Sequence, residues 1–331
     1  MSDGQLLPGF LVGHASDEVG ATGVTAILCP EGAVPGVDVR GAAPGTRETD
    51  LIRPENLVDR VHGLVFAGGS AFGLAAADGA VRWLAEQDIG WPTLGGKVPI
   101  VVSAILYDLN IGEPGRRPDA EMGYAACSGA ESAIPVRGSV GAGTGATIAK
   151  TLGMEKALKG GLGFAEDGLA SGLRVQAFAA VNASGAICDS RIGELVGGPR
   201  GGAPGEMLDP IDLLRSGEAL AAMGQVGENT TLAAVLTNAV LSKQEATRLA
   251  MMAQAGMARA INPVYALSDG DVVFTLAHGD QGLALGELTS LGAIAAAAVE
   301  RAILDAVRSA TSLAGVPSVT EWLGQGRAGS S

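Results

Sequence analysis

The sequence predicts an α/β protein whose sheets and helices stack in layers. Strand-like and helix-like apolar segments alternate along the 331 residues without a strict βαβ rhythm, which favours a layered sandwich over a Rossmann sheet. With only 6 Phe, 3 Trp and 3 Tyr, the core must be filled by Ala, Val, Leu and Ile, which suits closely packed elements. No linker separates two domains, so residues 1–331 are expected to form a single domain.

The first half of the chain contains three strand candidates and one helix candidate. Residues 23–29, 62–67 and 98–107 are short β-branched or apolar runs, which is typical of buried strands. Residues 70–86 are expected to form an amphipathic helix because their apolar residues recur on one helical face.

The second half begins with a strand candidate and a long loop candidate. Residues 173–182 alternate in polarity and predict a strand. Residues 196–210 are rich in Gly and Pro and predict a long exposed loop.

The last third is the most regular part of the sequence. Residues 230–238 predict a strand, and Ser242 with Glu245 forms a capping box that opens a helix through about residue 258. Residues 265–277 are interpreted as two short strand pieces joined by an Asp-Gly turn. A long helix is expected over residues 291–307, and the tail 324–331 is expected to be disordered.

The composition excludes several classes of function. The net charge of −13, with basic residues scattered singly apart from one Arg-Arg pair, argues against nucleic acid as a partner. No uncharged apolar run reaches the ~18 residues that a membrane helix needs. The N-terminus has no basic region typical of a secretory signal, and Cys29, Cys127 and Cys188 show no CxxC spacing. A soluble cytoplasmic protein without a membrane partner is therefore expected.

Histidine and metal chemistry have little support in the sequence. His14, His62 and His278 are the only histidines, and none stands beside a nucleophile signature. The cysteines are equally scattered, so neither a zinc site nor another cofactor is expected. An enzyme with this sequence would work without histidine and without a metal.

Two glycine-rich motifs are similar to known functional patterns, but neither matches its pattern in full. Ser70 follows a strand and Gly68-Gly69, as in a nucleophile elbow, but Phe72 stands where that pattern requires glycine, so Ser70 is more simply a helix cap. Residues 139–146 match neither phosphate-binding pattern, and their glycines would let two backbones approach closely.

The junction Asn229-Thr230 is the most informative stretch for catalysis. A hydroxyl residue that begins a strand after a polar segment suits a nucleophile that becomes a new N-terminus when the chain cuts itself. Its freed α-amine, with a pKa of about 7.7–8, would serve as general base for its own hydroxyl. The alternative at this junction is a simple Asn turn before a strand. Asp269-Gly270-Asp271 is likewise either a simple turn or a segment that presents two carboxylates to a site.

Taken together, the motifs are similar to those of the DmpA-type aminopeptidases. This family includes L-aminopeptidase/D-amidase-esterases, β-peptidyl aminopeptidases and nylon-oligomer endohydrolases. The resemblance covers nearly the whole chain, and its motifs in order are PGFLVGH at 8–14, TGVT at 22–25, FAGGSAFG at 66–73, GAGTG at 141–145, KGGLG at 159–163, NTTL at 229–232 and DGD at 269–271.

The resemblance implies a fold and a maturation step. The fold is a four-layer αββα sandwich like that of N-terminal-nucleophile hydrolases, with connectivity specific to the family. Self-cleavage at Asn229–Thr230 would give an α chain of residues 1–229 and a β chain of residues 230–331. The family forms homotetramers of αβ units, so a homotetramer is expected.

The resemblance also implies roles for single residues. Thr230 is the expected nucleophile, Asn182 matches an asparagine that helps to hold the oxyanion, and Tyr107 matches a tyrosine that lines the site. Lys159 best matches the site lysine, with Lys150 as a competing choice.

Asp269 and Asp271 match an acidic pair that positions the nucleophile and its ammonium group. Thr230 with this Asp-x-Asp pattern resembles the nylon-oligomer branch, whereas members that act on β-peptides or D-amides mostly have serine and Ser-x-Glu.

The expected function is therefore an autoprocessing amide hydrolase. Its substrates would be short peptides, β-peptides or 6-aminohexanoate oligomers, attacked by Thr230 to form an acyl-enzyme. The alternative from another class is a non-enzymatic protein that binds a small ligand on the same fold. A third hypothesis is a serine hydrolase that uses Ser70 and His62.

Overall fold

The computed structural model describes residues 4–221 and 229–328, which form a mixed set of strands and helices. The strands are β1 (Leu11–Asp17), β2 (Thr22–Val39), β3 (Thr46–Arg47), β4 (Val61–Ala67), β5 (Trp91–Thr93), β6 (Gly96–Val98), β7 (Val101–Ile105), β8 (Thr147–Ile148), β9 (Leu158–Lys159), β10 (Gly161–Gly168), β11 (Arg174–Asn182), β12 (Ala186–Asp189), β13 (Glu194–Gly197), β14 (Thr230–Ala239), β15 (Ile261–Asn262) and β16 (Val272–Gln281). The helices are α1 (Ala76–Glu86), α2 (Ala120–Ser128), α3 (Pro210–Ser216), α4 (Lys243–Ala260), α5 (Glu287–Arg308) and α6 (Val319–Ala328).

The long strand β2 joins two layers of sheet. Its first part, residues 22–28, pairs with β1 and β4, and β4 continues to β7 and β3. Its last part, residues 34–39, pairs with β16 at the edge of a second layer, ordered β10-β11-β14-β16. The pairing with β4 shifts register between Leu28 and Ala33, where β2 passes from one layer to the other.

Three apolar clusters define four layers. Phe66 from the first layer of sheet, and Phe178 and Phe274 from the second, belong to one buried cluster that lies between the two sheets. A second cluster packs α1 and α2 against β2, β4 and β7, and a third packs α4 and α5 against the opposite layer. The order is therefore helix, sheet, sheet, helix, which confirms the αββα sandwich.

Small side chains let the helices of one outer layer approach closely. A Cβ added at Gly256 of α4 would lie 2.2 Å from the carbonyl oxygen of Ala296 on α5. Only glycine fits at such a contact. The two helices therefore pack as closely as the scarcity of aromatic residues predicts.

Most predicted elements are present with shifted ends. The strands predicted at 62–67, 173–182 and 230–238 are β4, β11 and β14. Ser242 and Glu245 form the predicted capping box at the start of α4. The chain between β13 and α3 is the long loop predicted around 196–210.

The start of the predicted helix at 70–86 is different. Residues Ser70–Ala75 form a 3-10 turn before α1, and Ser70 has a φ of 54° and no capping hydrogen bond. The turn is held by backbone N–H groups instead, since Gly69 donates to the Asp108 carboxylate at 2.7 Å and Ser70 donates to the carbonyl of Leu106 at 3.0 Å. The prediction that Ser70 caps the helix was wrong.

Two further predictions are corrected. Residues 265–271 form a loop and not a strand, because Asp269 and Asp271 accept hydrogen bonds from the N–H groups of Ala266 and Tyr265. The tail predicted to be disordered from residue 324 is helical through Ala328, while residues 329–331 lie outside the described ranges. Trp322 anchors this helix through a 2.8 Å hydrogen bond from Nε1 to the carbonyl of Glu206.

None of the helices within residues 4–221 and 229–328 combines the length and apolarity needed to cross a membrane.

Candidate active site

The predicted site residues come together where three neighbouring strands of one layer meet. Asn182 is the last residue of β11, and it lies opposite Thr230, the first residue of the antiparallel strand β14. β16 runs parallel to β14 on the other side, so Gly270 and Asp271, which precede it, reach the same edge. Alternation along β14 places Thr230 on the face that points between the sheets, as Leu232 does.

The junction between Asn229 and Thr230 is held in a defined geometry. Thr230 Oγ1 donates to the carbonyl oxygen of Asn229 at 2.5 Å, and the N–H of Gly270 donates to the same oxygen at 2.9 Å. A Cβ at Gly270 would lie only 2.8 Å from Thr230 Oγ1. The hydroxyl thus lies beside the carbonyl that it would attack, and a backbone N–H already polarises that carbonyl.

The two aspartates surround the start of β14. Asp271 Oδ1 accepts from the N–H of Thr231 at 2.6 Å, and Asp269 Oδ1 is buried with no hydrogen-bond partner in the described part of the chain. Burial, with an additional contribution from the charge of Asp269, raises the pKa of Asp271 to about 7. Burial also raises the pKa of Asp269. The pair therefore retains a proton more readily than exposed carboxyls do.

Lys150 and Asn182 form the basic and amide part of the site. Lys150 Nζ donates to the carbonyl oxygen of Asn182 at 3.1 Å and to its Oδ1 at 3.0 Å, and Thr147 N–H donates to the same Oδ1 at 3.0 Å. Asn182 Nδ2 donates to the carbonyl of Tyr107 at 2.8 Å, so Tyr107 joins the site through its main chain. The charge of Lys150 lowers the pKa of both aspartates, which places its ammonium group in their field.

Lys159 occupies a different position. Its ammonium group is fully buried and donates to the carbonyl oxygens of Thr144 at 2.8 Å and Ala146 at 2.5 Å. Burial lowers the pKa of Lys159 to about 7, against the opposing effect of the Asp108 carboxylate. Lys150 therefore contacts Asn182, whereas Lys159 supports the segment that leads to Thr147. The choice between the two as site lysine stays a prediction.

Sequence reasoning missed Asp108 as part of this region. Asp108 is buried, its Oδ2 accepts from Thr22 Oγ1 at 2.7 Å, and burial raises its pKa to about 6. It directly follows Tyr107, and an acidic residue immediately after an apolar strand was the signal that would have identified it.

The alternative motifs do not form sites. His62 is the second residue of β4 and Ser70 lies beyond its other end, so about 16 Å of strand separates them and the hypothesis of a Ser70–His62 hydrolase was wrong. The N–H groups of Gly141 and Ala142 already donate to Ser16 and Thr25 and are not available to a phosphate. In residues 4–221 and 229–328, no three His, Cys, Asp or Glu side chains are placed to hold a metal ion.

The fold is an αββα sandwich, and Thr230 begins a central strand and faces the space between the sheets. Peptidase family S58 matches residues 7–320. The chain belongs to peptidase family S58 and is a hydrolase of amide bonds.

Individual relatives agree with this assignment. The chain is 43% identical to an uncharacterized aminopeptidase of Mycobacterium leprae over 326 residues, covering 90% of this chain and 85% of the relative. It is 32% identical to a 6-aminohexanoate-oligomer endohydrolase of a Kocuria species over 317 residues, covering 91% and 84%.

Solved structures show the same fold at lower identity. A β-aminopeptidase of a Burkholderia species has a TM-score of 0.71 at 21% identity, with 97% of this chain and 92% of that chain covered. The L-aminopeptidase D-Ala-esterase/amidase of Ochrobactrum anthropi, described as a variant of the Ntn-hydrolase fold, has a TM-score of 0.69 at 18% identity, covering 95% and 88%. The predicted fold class is confirmed.

Proposed function

We propose that the chain cleaves itself at Asn229–Thr230 and then hydrolyses small amides with Thr230 as N-terminal nucleophile. The observation that carries this proposal is the 2.5 Å contact between Thr230 Oγ1 and the Asn229 carbonyl oxygen, which Gly270 N–H also binds. A hydroxyl beside a polarised carbonyl is the geometry that an intramolecular acyl shift requires.

Self-cleavage would proceed through an ester. Thr230 Oγ bonds to the carbonyl carbon of Asn229, the carbon–nitrogen bond to Thr230 breaks, and the hydroxyl proton passes to the freed amine. Water then hydrolyses the ester, which releases the Asn229 carboxylate and restores the hydroxyl of Thr230. In this step the N–H of Gly270 stabilises the charge that develops on the Asn229 oxygen.

Substrate hydrolysis would use the new N-terminus. The α-amine of Thr230 accepts the hydroxyl proton, and Thr230 Oγ attacks the substrate carbonyl to form an acyl-enzyme. The amide group of Asn182, oriented through its Oδ1 by Lys150 and Thr147, supplies an N–H donor for the oxyanion, and Tyr107 lines the same edge.

The buried charges favour a new cation at Thr230. Before cleavage the region holds the carboxyl groups of Asp108, Asp269 and Asp271 but only the amines of Lys150 and Lys159. The α-ammonium group of Thr230 would supply a further positive charge, and the unpartnered Asp269 Oδ1 offers it an acceptor. This is the role that we assign to the acidic pair.

The substrate class is proposed from the relatives. One relative is a 6-aminohexanoate-oligomer endohydrolase and one structural neighbour is a β-aminopeptidase. We therefore propose short peptides, β-peptides and ω-amino-acid oligomers as substrates. A homotetramer of αβ units remains a prediction, which light scattering of the purified protein tests.

Intact mass and a denaturing gel of the purified protein test the proposal. We expect masses for residues 1–229 and 230–331, and one uncut chain for Thr230→Ala, whereas Thr247→Ala in α4, where the side chain is half-buried, should cleave normally. Cleavage in Thr230→Ala would assign the chemistry to another residue. An uncut wild-type chain that a small metabolite stabilises without turnover would favour the alternative of a ligand-binding protein.

A further inference from the structure

Asn229 occupies a seat with its own hydrogen-bonding pattern. Its carbonyl oxygen accepts from Gly270 N–H at 2.9 Å, it forms a parallel β-bridge with Asp269, and its Nδ2 donates to Ser268 Oγ at 3.2 Å. We call residues 268–270 the Asn229 seat. The seat binds both the reacting carbonyl and the side chain of the residue that precedes the nucleophile.

The side chain of Asn229 contacts the seat through a donor. Its Nδ2 donates to Ser268 Oγ at 3.2 Å, so the serine oxygen offers a lone pair to the residue that precedes the nucleophile. Asn229 Oδ1 is buried without a partner among the described residues, so only the N–H end of the side chain is recognised.

The ester formed during self-cleavage resembles the acyl-enzyme formed from a substrate, and this comparison rests on the proposed function. In the ester formed during self-cleavage, the acyl group on Thr230 Oγ is residue 229 itself. The bonding at this carbon is the same as in the acyl-enzyme made from a substrate, in which the substrate's carbon–nitrogen bond has broken and its amine has left with a proton. The first acyl group that this site processes is therefore an asparaginyl residue.

The seat would be emptied once the ester is hydrolysed. Hydrolysis creates a carboxylate at Asn229, next to the buried carboxyl groups of Asp269 and Asp271. Like charges at short distance in a poorly solvated site repel one another, which favours departure of the new terminus. The seat then becomes available to another acyl group.

We infer that residues 268–270 form the acyl subsite of the enzyme, with Ser268 as a specificity-determining residue. The subsite would select acyl groups that present an N–H donor four bonds from the reacting carbonyl carbon. Asparaginyl residues have this donor at Nδ2, and among ω-amino acids the 4-aminobutyryl unit places its amine at the same distance along the chain.

Anilides of asparagine, aspartate and leucine test the subsite on the self-cleaved protein. The three side chains are similar in size, but only asparagine offers an N–H donor to Ser268. We expect kcat/KM for the asparaginyl anilide to exceed the other two by roughly tenfold, the effect of one buried hydrogen bond. The aspartyl anilide should be the poorest, because Asp269 and Asp271 repel its carboxylate. Equal values for the asparaginyl and leucyl anilides would overturn the inference.

Variants at Ser268 separate recognition from general damage. Ser268→Ala should bring the asparaginyl-to-leucyl ratio of kcat/KM close to one, Ser268→Thr should restore it, and the surface variant Ser132→Ala should keep it. A ratio unchanged in Ser268→Ala contradicts the assignment. Turnover without preference defeats this inference alone, whereas an uncut chain with no turnover of any anilide defeats the proposed function as well.

Discussion

Lys150 makes two hydrogen bonds to Asn182, donating from Nζ to the main-chain oxygen at 3.1 Å and to the side-chain Oδ1 at 3.0 Å. This relationship fixes the direction of the Asn182 amide, whose Nδ2 then faces the carbonyl of Tyr107. It also brings a cation into the field of the two aspartates beside Thr230. We therefore expect Lys150, rather than Lys159, to act on the charges of this site.

Replacing Lys150 should impair the chemistry. Lys150→Met removes both bonds to Asn182 and the charge that lowers the pKa of Asp269 and Asp271, so kcat should fall by about 10²–10³. Turnover of a peptide anilide and the rate of self-cleavage measure the effect. Lys159→Met is the informative comparison, since Lys159 binds the carbonyls of Thr144 and Ala146 and its loss should act mainly on thermal stability. A larger loss of kcat in Lys159→Met would instead assign the role of site lysine to Lys159.

A side chain at position 270 should block self-cleavage. In Gly270→Ala the new Cβ would lie 2.8 Å from Thr230 Oγ1 and 2.9 Å from the carbonyl oxygen of Ala43, which displaces the backbone N–H from the Asn229 carbonyl. We expect processing to slow by about 10² or more, followed as the appearance of the β chain on denaturing gels. Gly282→Ala is the matched control, because a Cβ there meets nothing within 4 Å. Normal processing of Gly270→Ala would contradict the role given to its N–H.

The stability of the uncut chain should depend on pH through Asp271. Its folded pKa is raised to about 7 from 3.8, so the folded state binds a proton that the unfolded state has lost. The stabilisation is fully present below pH 3.8 and is lost as the pH rises to about 7. In a Thr230→Ala background, Asp271→Asn should flatten the fall in melting temperature across this window. An unchanged profile would show that Asp271 is not the group that titrates.

The central layer should carry a large share of the stability. Phe178 is fully buried between the sheets, with its ring centroid 5.1 Å from that of Phe164. Phe178→Ala should lower the free energy of unfolding by about 3–5 kcal/mol through lost burial and a new cavity. Urea unfolding of the Thr230→Ala protein measures this, with Phe72→Ala as control because Phe72 is 57% exposed. Similar losses for both variants would contradict the layer assignment.

Local sequence features were sufficient where one segment determines its own structure. The capping box at Ser242 and the apolar runs of β4 and β14 are encoded within a few residues, and each was predicted near its position. The motifs that resemble the DmpA-type family also pointed to Thr230, Asn182 and the two aspartates. These residues are near one another in the fold because three strand ends meet at one edge.

Features that depend on distant partners were not predictable in the same way. Residues 265–271 were predicted to contain a short strand piece before an Asp-Gly turn, but hydrogen bonds to Asp269 and Asp271 fold them into a loop. Which ammonium group reaches Asn182 is also a tertiary feature: Lys150 contacts Asn182, and both lysines lie more than twenty positions away from it in the sequence.

The sequence by itself determined the elements, the small-residue core and the set of candidate groups, because periodicity, capping and motif order are properties of neighbouring residues. Only the tertiary structure decided how these groups act on one another. The bend of β2 stacks the two sheets, and the pairing of β11, β14 and β16 sets Thr230 between Asn182 and Gly270. Burial at that edge then shifts the pKa of Asp271, a consequence of solvent exclusion that no local pattern encodes.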